Sequence, residues 1–189
     1  MLKQIIEETT GAVTAAIQGV DNILEAVTGT VKNQVVNVLQ GTGEIGASSV
    51  EAIASIADGA IKGVGQVGGT AIDTASNTVS GVVQGVTQVG GDVISAIRGG
   101  AQGVVQGTAE TGGDIGQAAI GAVQGAIKAA GDTGGNAAEA AKAAVNGTLD
   151  AAVQVGGNAA STVREALLNT AALPHDIIEA AIKGRDNKE

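Results

Sequence analysis

The chain has 189 residues, a formal net charge of −9 and only 15% charged residues; it contains no Cys, Phe, Tyr or Trp, one each of Met, Pro and His, and 31 Gly. The lack of Cys excludes a disulfide framework and thiolate metal ligands. The negative balance excludes nucleic acid and strongly anionic bilayers as expected partners. Without aromatic side chains, a core has to be assembled from Ala, Val, Ile and a few Leu.

The chain opens MLKQIIEETT, with acidic residues where a secretory signal needs a long apolar stretch. No run of about 18 apolar residues follows anywhere. The expectation is a protein without signal peptide or transmembrane helix, cytoplasmic or exported by a signal-independent route. Residues 1–45 read as degenerate N-terminal repeats.

From residue 46 the pattern becomes regular, and residues 46–173 form the main repeat region. Paired glycines fall at Gly68-Gly69, Gly90-Gly91, Gly112-Gly113, Gly134-Gly135 and Gly156-Gly157, and the step between successive pairs is constant. Two of the blocks are GGDVISAIRGGAQGVVQGTAET and GGDIGQAAIGAVQGAIKAAGDT. Numbered from the first glycine, a block carries Val, Ile, Leu or Ala mostly at positions 5, 8, 12, 16 and 19, and polar residues mostly at 6, 13, 17 and 21. Position p resembles position p + 11, and eleven residues in three turns is about 3.67 per turn, close to the helical period. The sustained alternation that a strand needs is absent. The prediction is an all-α fold: elongated helices built on 22-residue (2 × 11) Gly/Ala/Val repeats, kinked or turned at some Gly-Gly pairs and packed side by side.

What the glycine pairs do has two readings. As turns, each pair would close one helix with a left-handed glycine, and Asp92, Asp114, Asn136 or Asn158 would cap the next. As hinges in a continuous helix, each pair would cost about 2 kcal/mol relative to Ala-Ala. One block is six whole turns of this period, and the polar stripe keeps its phase across the pair. On that arithmetic the expectation is a helix that continues through the pairs, with kinks or breaks at some of them.

On a helical wheel the small residues gather in one zone, which contains Gly59 and Gly63, Gly81 and Gly85, Gly103 and Gly107, and Gly121 and Gly125. These G-x-x-x-G spacings predict helix-packing positions where another backbone can come close. Lys32, Arg98, Lys142 and Arg164 all occupy block position 9, at the border of the apolar zone, where a cation can keep its head in water.

At the end of the chain, residues 174–189 read as a capping helix and solvated tail. Pro174 stops the repeat, Asp176 is the expected N-cap with Glu179 three residues on, and Gly184 closes the helix. His175 is the single histidine and reads as a solvated turn residue. No His, Asp or Glu cluster has ligand spacing, and no Ser or Thr has a positioned base. The segments Gly41–Gly46 and Gly63–Gly68 match G-x-G-x-x-G, but they recur one block apart after helical patterns, so they read as by-products of the repeat. The expectation is no enzymatic activity, no catalytic residues, no cofactor and no metal.

The run GVVQGVTQVGGDV, from Gly81 to Val93, resembles the 11-residue amphipathic-helix repeats of synucleins and apolipoproteins and, more loosely, of perilipins. The likeness runs at the level of pattern from about Gly46 to Gly157. It implies helix formation on lipid surfaces. Few cations make a neutral lipid, droplet or storage-granule surface the better match in charge.

Two functional expectations follow. The first is a structural protein that self-assembles through close-packed Gly/Ala-faced helices into a bundle or filament, its partner being other copies of itself. The second is an amphipathic coat on a lipid or granule interface. An isolated helix this rich in glycine would not persist in water, so both readings require something to cover the apolar face.

Overall fold

The computed structural model describes residues 2–18, 22–42, 47–65 and 70–186. Among them it forms nine helices and no strand: α1 (Leu2–Ile17), α2 (Ile23–Thr42), α3 (Ala47–Gly65), α4 (Ala71–Gln88), α5 (Val93–Glu110), α6 (Ile115–Asp132), α7 (Ala137–Val155), α8 (Ala159–Asn169) and α9 (His175–Asp186). The all-α architecture of side-by-side helices is the one that the hendecad pattern predicts.

The glycine pairs decide the topology, and here the continuous helix is overturned. At every described pair the chain turns. Gly90, Gly112 and Gly134 have φ of 71°, 71° and 74°, in the left-handed region that glycine enters without steric cost. The backbone hydrogen bonds are those of a Schellman closure: Gly91 N donates to Val86 O at 3.0 Å and Gly90 N to Thr87 O at 3.2 Å. The same pair of bonds recurs at Gly112-Gly113 and Gly134-Gly135. The next residue then caps the following helix. Asp92 accepts from Ile94 N and Ser95 N at 3.0 and 3.1 Å, Asp114 from Gln117 N at 3.0 Å, and Asn136 from Ala138 N at 3.0 Å. Gly156 and Gly157 both have positive φ, and Asn158 makes no side-chain cap. Gly68-Gly69 lies outside the described residues.

The phase arithmetic misled for a simple reason. Any exact repeat of this length keeps its polar stripe at fixed block positions, whether the backbone winds on or folds back. What separates the two is burial. A single helix of this composition exposes its apolar and small faces unless it meets neighbours, and a turn supplies neighbours from the same chain.

Short turns make consecutive helices antiparallel, so helices two apart run parallel. The main packing is between these parallel partners, α1 on α3, α3 on α5, α5 on α7, α2 on α4 and α4 on α6, with α8 following α6 and α9 following α7. The result is two layers, one of odd-numbered and one of even-numbered helices. Between them lies a core of Ala, Val, Ile and Leu such as Val79, Val83, Val104, Val105, Ala122, Val123, Val145 and Leu149. A second cluster, from Val13, Val27, Val31 and Val35 to Val82 and Val86, fills the N-terminal end. At the other end, α9 begins at His175 with the Pro174 carbonyl accepting from Ile178 N at 3.2 Å. Asp176 therefore lies in the first turn rather than at the N-cap, and Glu179 pairs with Lys183 at 2.8 Å instead of closing a capping box.

Replacing Gly112 by Ala separates the two topologies by sign. There is open space around Gly112, so only its positive φ opposes a side chain. A continuous helix would gain stability from alanine; the turn is expected to lose about 1–2 kcal/mol, read from urea unfolding.

Candidate functional site: glycine seams between parallel helices

The contact that repeats through the molecule is a glycine of one helix seated under a backbone carbonyl of the parallel helix before it. A Cβ built on Gly103 would stand 2.0 Å from Ala54 O, one on Gly121 2.2 Å from Ile72 O, and one on Gly125 2.3 Å from Ser76 O. No real side chain tolerates such distances from backbone. Gly107 meets Asp58 O at 2.9 Å by the same measure, Gly81 meets Thr28 O at 2.7 Å, and Gly85 meets Lys32 O at 2.9 Å. Gly59 and Gly63 face Ile6 O and Thr10 O at 2.6 and 3.1 Å. All eight glycines of the small zone thus lie at the seams between helices two apart. There the missing side chain lets Cα–H groups approach carbonyl oxygens closely, a contact that is weak singly and recurs at each seam.

The register is regular. A glycine at position n meets the carbonyl of residue n − 49 from α5 onward (Gly99 on Val50, Gly103 on Ala54, Gly147 on Arg98) and of residue n − 53 in the first two pairs (Gly63 on Thr10, Gly85 on Lys32). The difference is four residues, close to one helical turn, so the same faces meet in both regions. Threonines add cross-seam bonds at the N-terminal end. The Thr10 hydroxyl is placed to donate to Ile6 O at 2.8 Å or Gly59 O at 3.1 Å, and the Thr28 hydroxyl to Leu24 O at 3.1 Å or Asn77 Oδ1 at 3.0 Å.

Two seam glycines lie outside the expected set. Gly147 occupies the expected block position, but Ala151 stands four residues on, so no G-x-x-x-G marks it. Gly99 sits one turn before Gly103 and meets Val50 O, at the block position that Gly121 holds in the next repeat. The ten glycines read as hinges divide differently. Gly90, Gly112, Gly134, Gly156 and Gly157 take the positive φ. Gly91 and Gly113 serve a different need: a Cβ there would stand 2.9 Å from Val86 Cγ1 and from Thr108 Cγ2. At Gly135 the nearest contact is Ala130 O at 3.3 Å.

Charged groups collect on the odd-layer helices. Lys62 bridges Asp58 at 2.9 Å and Glu110 at 2.6 Å, tying α3 to α5. Asp58 is 4% exposed, and its Oδ1 has no hydrogen-bond donor. Burial raises the Asp58 carboxyl above its ordinary value, and the Lys62 hydrogen bond and charge pull it partly back. At the other end of the layer, Asp150 holds Arg98 through Nε at 2.9 Å and Nη2 at 2.6 Å, and Arg185 of α9 through Nη1. Gln154 accepts from Gln106 Nε2 at 2.7 Å. His175 is exposed at the start of α9, and no group of three metal-competent side chains occurs among the described residues. Of the two G-x-G-x-x-G matches, Gly41 belongs to the last turn of α2 and Gly63 and Gly65 to the end of α3; the remaining residues lie largely outside the described region.

One substitution should give opposite signs at different glycines. Gly11 and Gly29 stand in helices with no atom within 4 Å of an added Cβ, so alanine at either is expected to stabilise by about 0.5–1 kcal/mol. Gly103→Ala gains the same propensity yet must push two helices apart, and is expected to destabilise by about 1–3 kcal/mol net; thermal unfolding of the three variants reads the sign directly. For Asp58 the pH dependence follows from its raised folded value. Its proton is held more tightly in the folded chain, so its contribution to stability grows as pH falls through the window just above 3.8. Wild type should gain on Asp58→Asn between pH 7 and pH 4 in urea titrations.

No family model matches the chain, and no curated protein matches its sequence. Among solved structures, the chain is similar to the crystal structure of a de novo designed helical repeat protein, DHR7, with a TM-score of 0.50 and 16% identity over 98% of this chain and 95% of the other. The likeness is one of fold, a helical repeat.

Proposed function

We propose that the chain is a non-enzymatic structural protein, a bundle assembled from close-packed Gly/Ala-faced helices, with one molecule supplying both sides of each seam. The observation that carries this reading is the glycine-under-carbonyl contact repeated in both layers at regular register. Stacked repeats that touch only their neighbours make a quasi-one-dimensional body whose length is set by repeat number, which suits a spacer or scaffold. The ends bear on how copies would join. In α2, Asn33 and Asn37 are exposed, and in α1 so are Gln4 and Glu8. Polar residues on the terminal helices keep a stack soluble as a single unit, so association into a larger bundle or filament is assigned to the outer layer faces.

The second reading, a coat on a neutral lipid or granule surface, draws on the amphipathic pattern. It requires the layers to open, since the large exposed apolar side chains among the described residues are Leu2, Ile94, Val153 and Val155. No described helix is long and apolar enough to cross a membrane.

Circular dichroism of the purified chain with and without phosphatidylcholine vesicles, with small-angle scattering of the same sample, separates the two. A helical, compact particle without lipid is the expected result. A coil that gains helix only on vesicles would reverse the order of the two readings.

A further inference from the structure

The Arg98–Asp150–Arg185 cluster borders a surface groove of 550 Å³ between α5, α7 and α9, which Lys142 and Asn146 also line. Its charge is opposite to that of the molecule. Three of the chain's ten Lys and Arg residues converge there, and Asp150 is the one carboxylate in the lining, in a chain of net charge −9. Helical spacing explains part of this: Lys142, Asn146 and Asp150 are four residues apart and share one face of α7. The parallel register of α5 and α7 sets Arg98 beside them, with its carbonyl over Gly147. The third cation arrives only because α9 docks on α7.

Asp150 is already well supplied with donors. Its Oδ2 takes the Nε and Nη2 groups of Arg98, and its Oδ1 takes Nη1 of Arg185. Both Asp150 and Arg185 are largely covered, with side-chain exposures of 19% and 17%, so the carboxylate works as an internal strut that fixes two guanidinium groups at the groove wall. Arg98 remains 56% exposed and keeps an edge that Asp150 does not use. Lys142 is exposed and has no ion-pair partner among the described residues. A planar fork, a mobile ammonium and the Asn146 amide therefore border one concavity. Fixed guanidinium donors beside a point cation suit a compact oxyanion.

We propose that this groove is a binding site for a small soluble oxyanion of the phosphate class, held by Lys142 and Arg98, with Arg185 fixed behind them by Asp150. Calorimetric titration of the full chain with inorganic phosphate at low ionic strength tests it. Wild type is expected to bind at one site, and Lys142→Ala and Arg98→Gln to weaken binding at least fivefold. Lys142→Ala removes an exposed, unpartnered side chain and should leave the helical spectrum unchanged. Lys128→Ala, on α6 in the other layer, should bind as wild type does. Phosphate that fails to bind wild type, or that binds Lys142→Ala as tightly, overturns the proposal. So does a chain that binds phosphatidic acid vesicles without responding to free phosphate, since the anion would then be a headgroup on a surface.

Discussion

The close approach of a glycine Cα to the carbonyl of the parallel helix before it is the constraint on which the rest of this structure depends. A chain without aromatic residues cannot bury large area per side chain. It can instead bring backbones together, so that shallow Ala and Val side chains such as Ala122 and Val123 are still fully buried between the layers. The 2.0 Å that would separate a Gly103 Cβ from Ala54 O measures how little room the seam leaves. Because glycine costs about 1 kcal/mol of helix propensity relative to alanine, the seams and the core have to return that stability through contact. These helices hold their shape by their neighbours rather than by themselves.

The turns obey a related constraint and use two different properties of the same residue. The first glycine of the pair supplies a left-handed backbone, and at Gly91 and Gly113 the second supplies the absence of a Cβ where a side chain five residues back already sits. With Asp or Asn following as cap, four residues both end one helix and begin another. Such a unit reverses the chain without lengthening the stack, which keeps α4, α5 and α6 equal in length and their seams aligned.

Polar chemistry is then sorted by layer. Asp58 is buried at the α3–α5 seam, where its carboxylate tethers Lys62 and through it Glu110. Asp150 performs the same office at the α5–α7–α9 junction with two arginines. Lys62–Glu110 joins α3 to α5, and Asp150 joins α7 to α5 and α9, so these ion pairs reinforce the parallel packing that glycine permits.

Much of this was legible in the residues. Period eleven announced helices, and the recurrence of small residues in phase marked the eight glycines that stand at seams, because a face made only of Gly and Ala has no other reason to repeat. Gly147 was not legible, because it lacks a second glycine at the usual spacing; Gly99 stands at that spacing from Gly103, and only its carbonyl neighbour needed the fold. The sequence by itself determined the helical period and which residues share a face, since these depend on residues within one or two turns of each other. Only the tertiary structure decided that each described glycine pair reverses the chain, that partners lie two helices apart, and that Arg185 meets Asp150. Those outcomes depend on burying faces against distant parts of the chain, and a repeat that preserves phase in either topology carries no information about which burial is better.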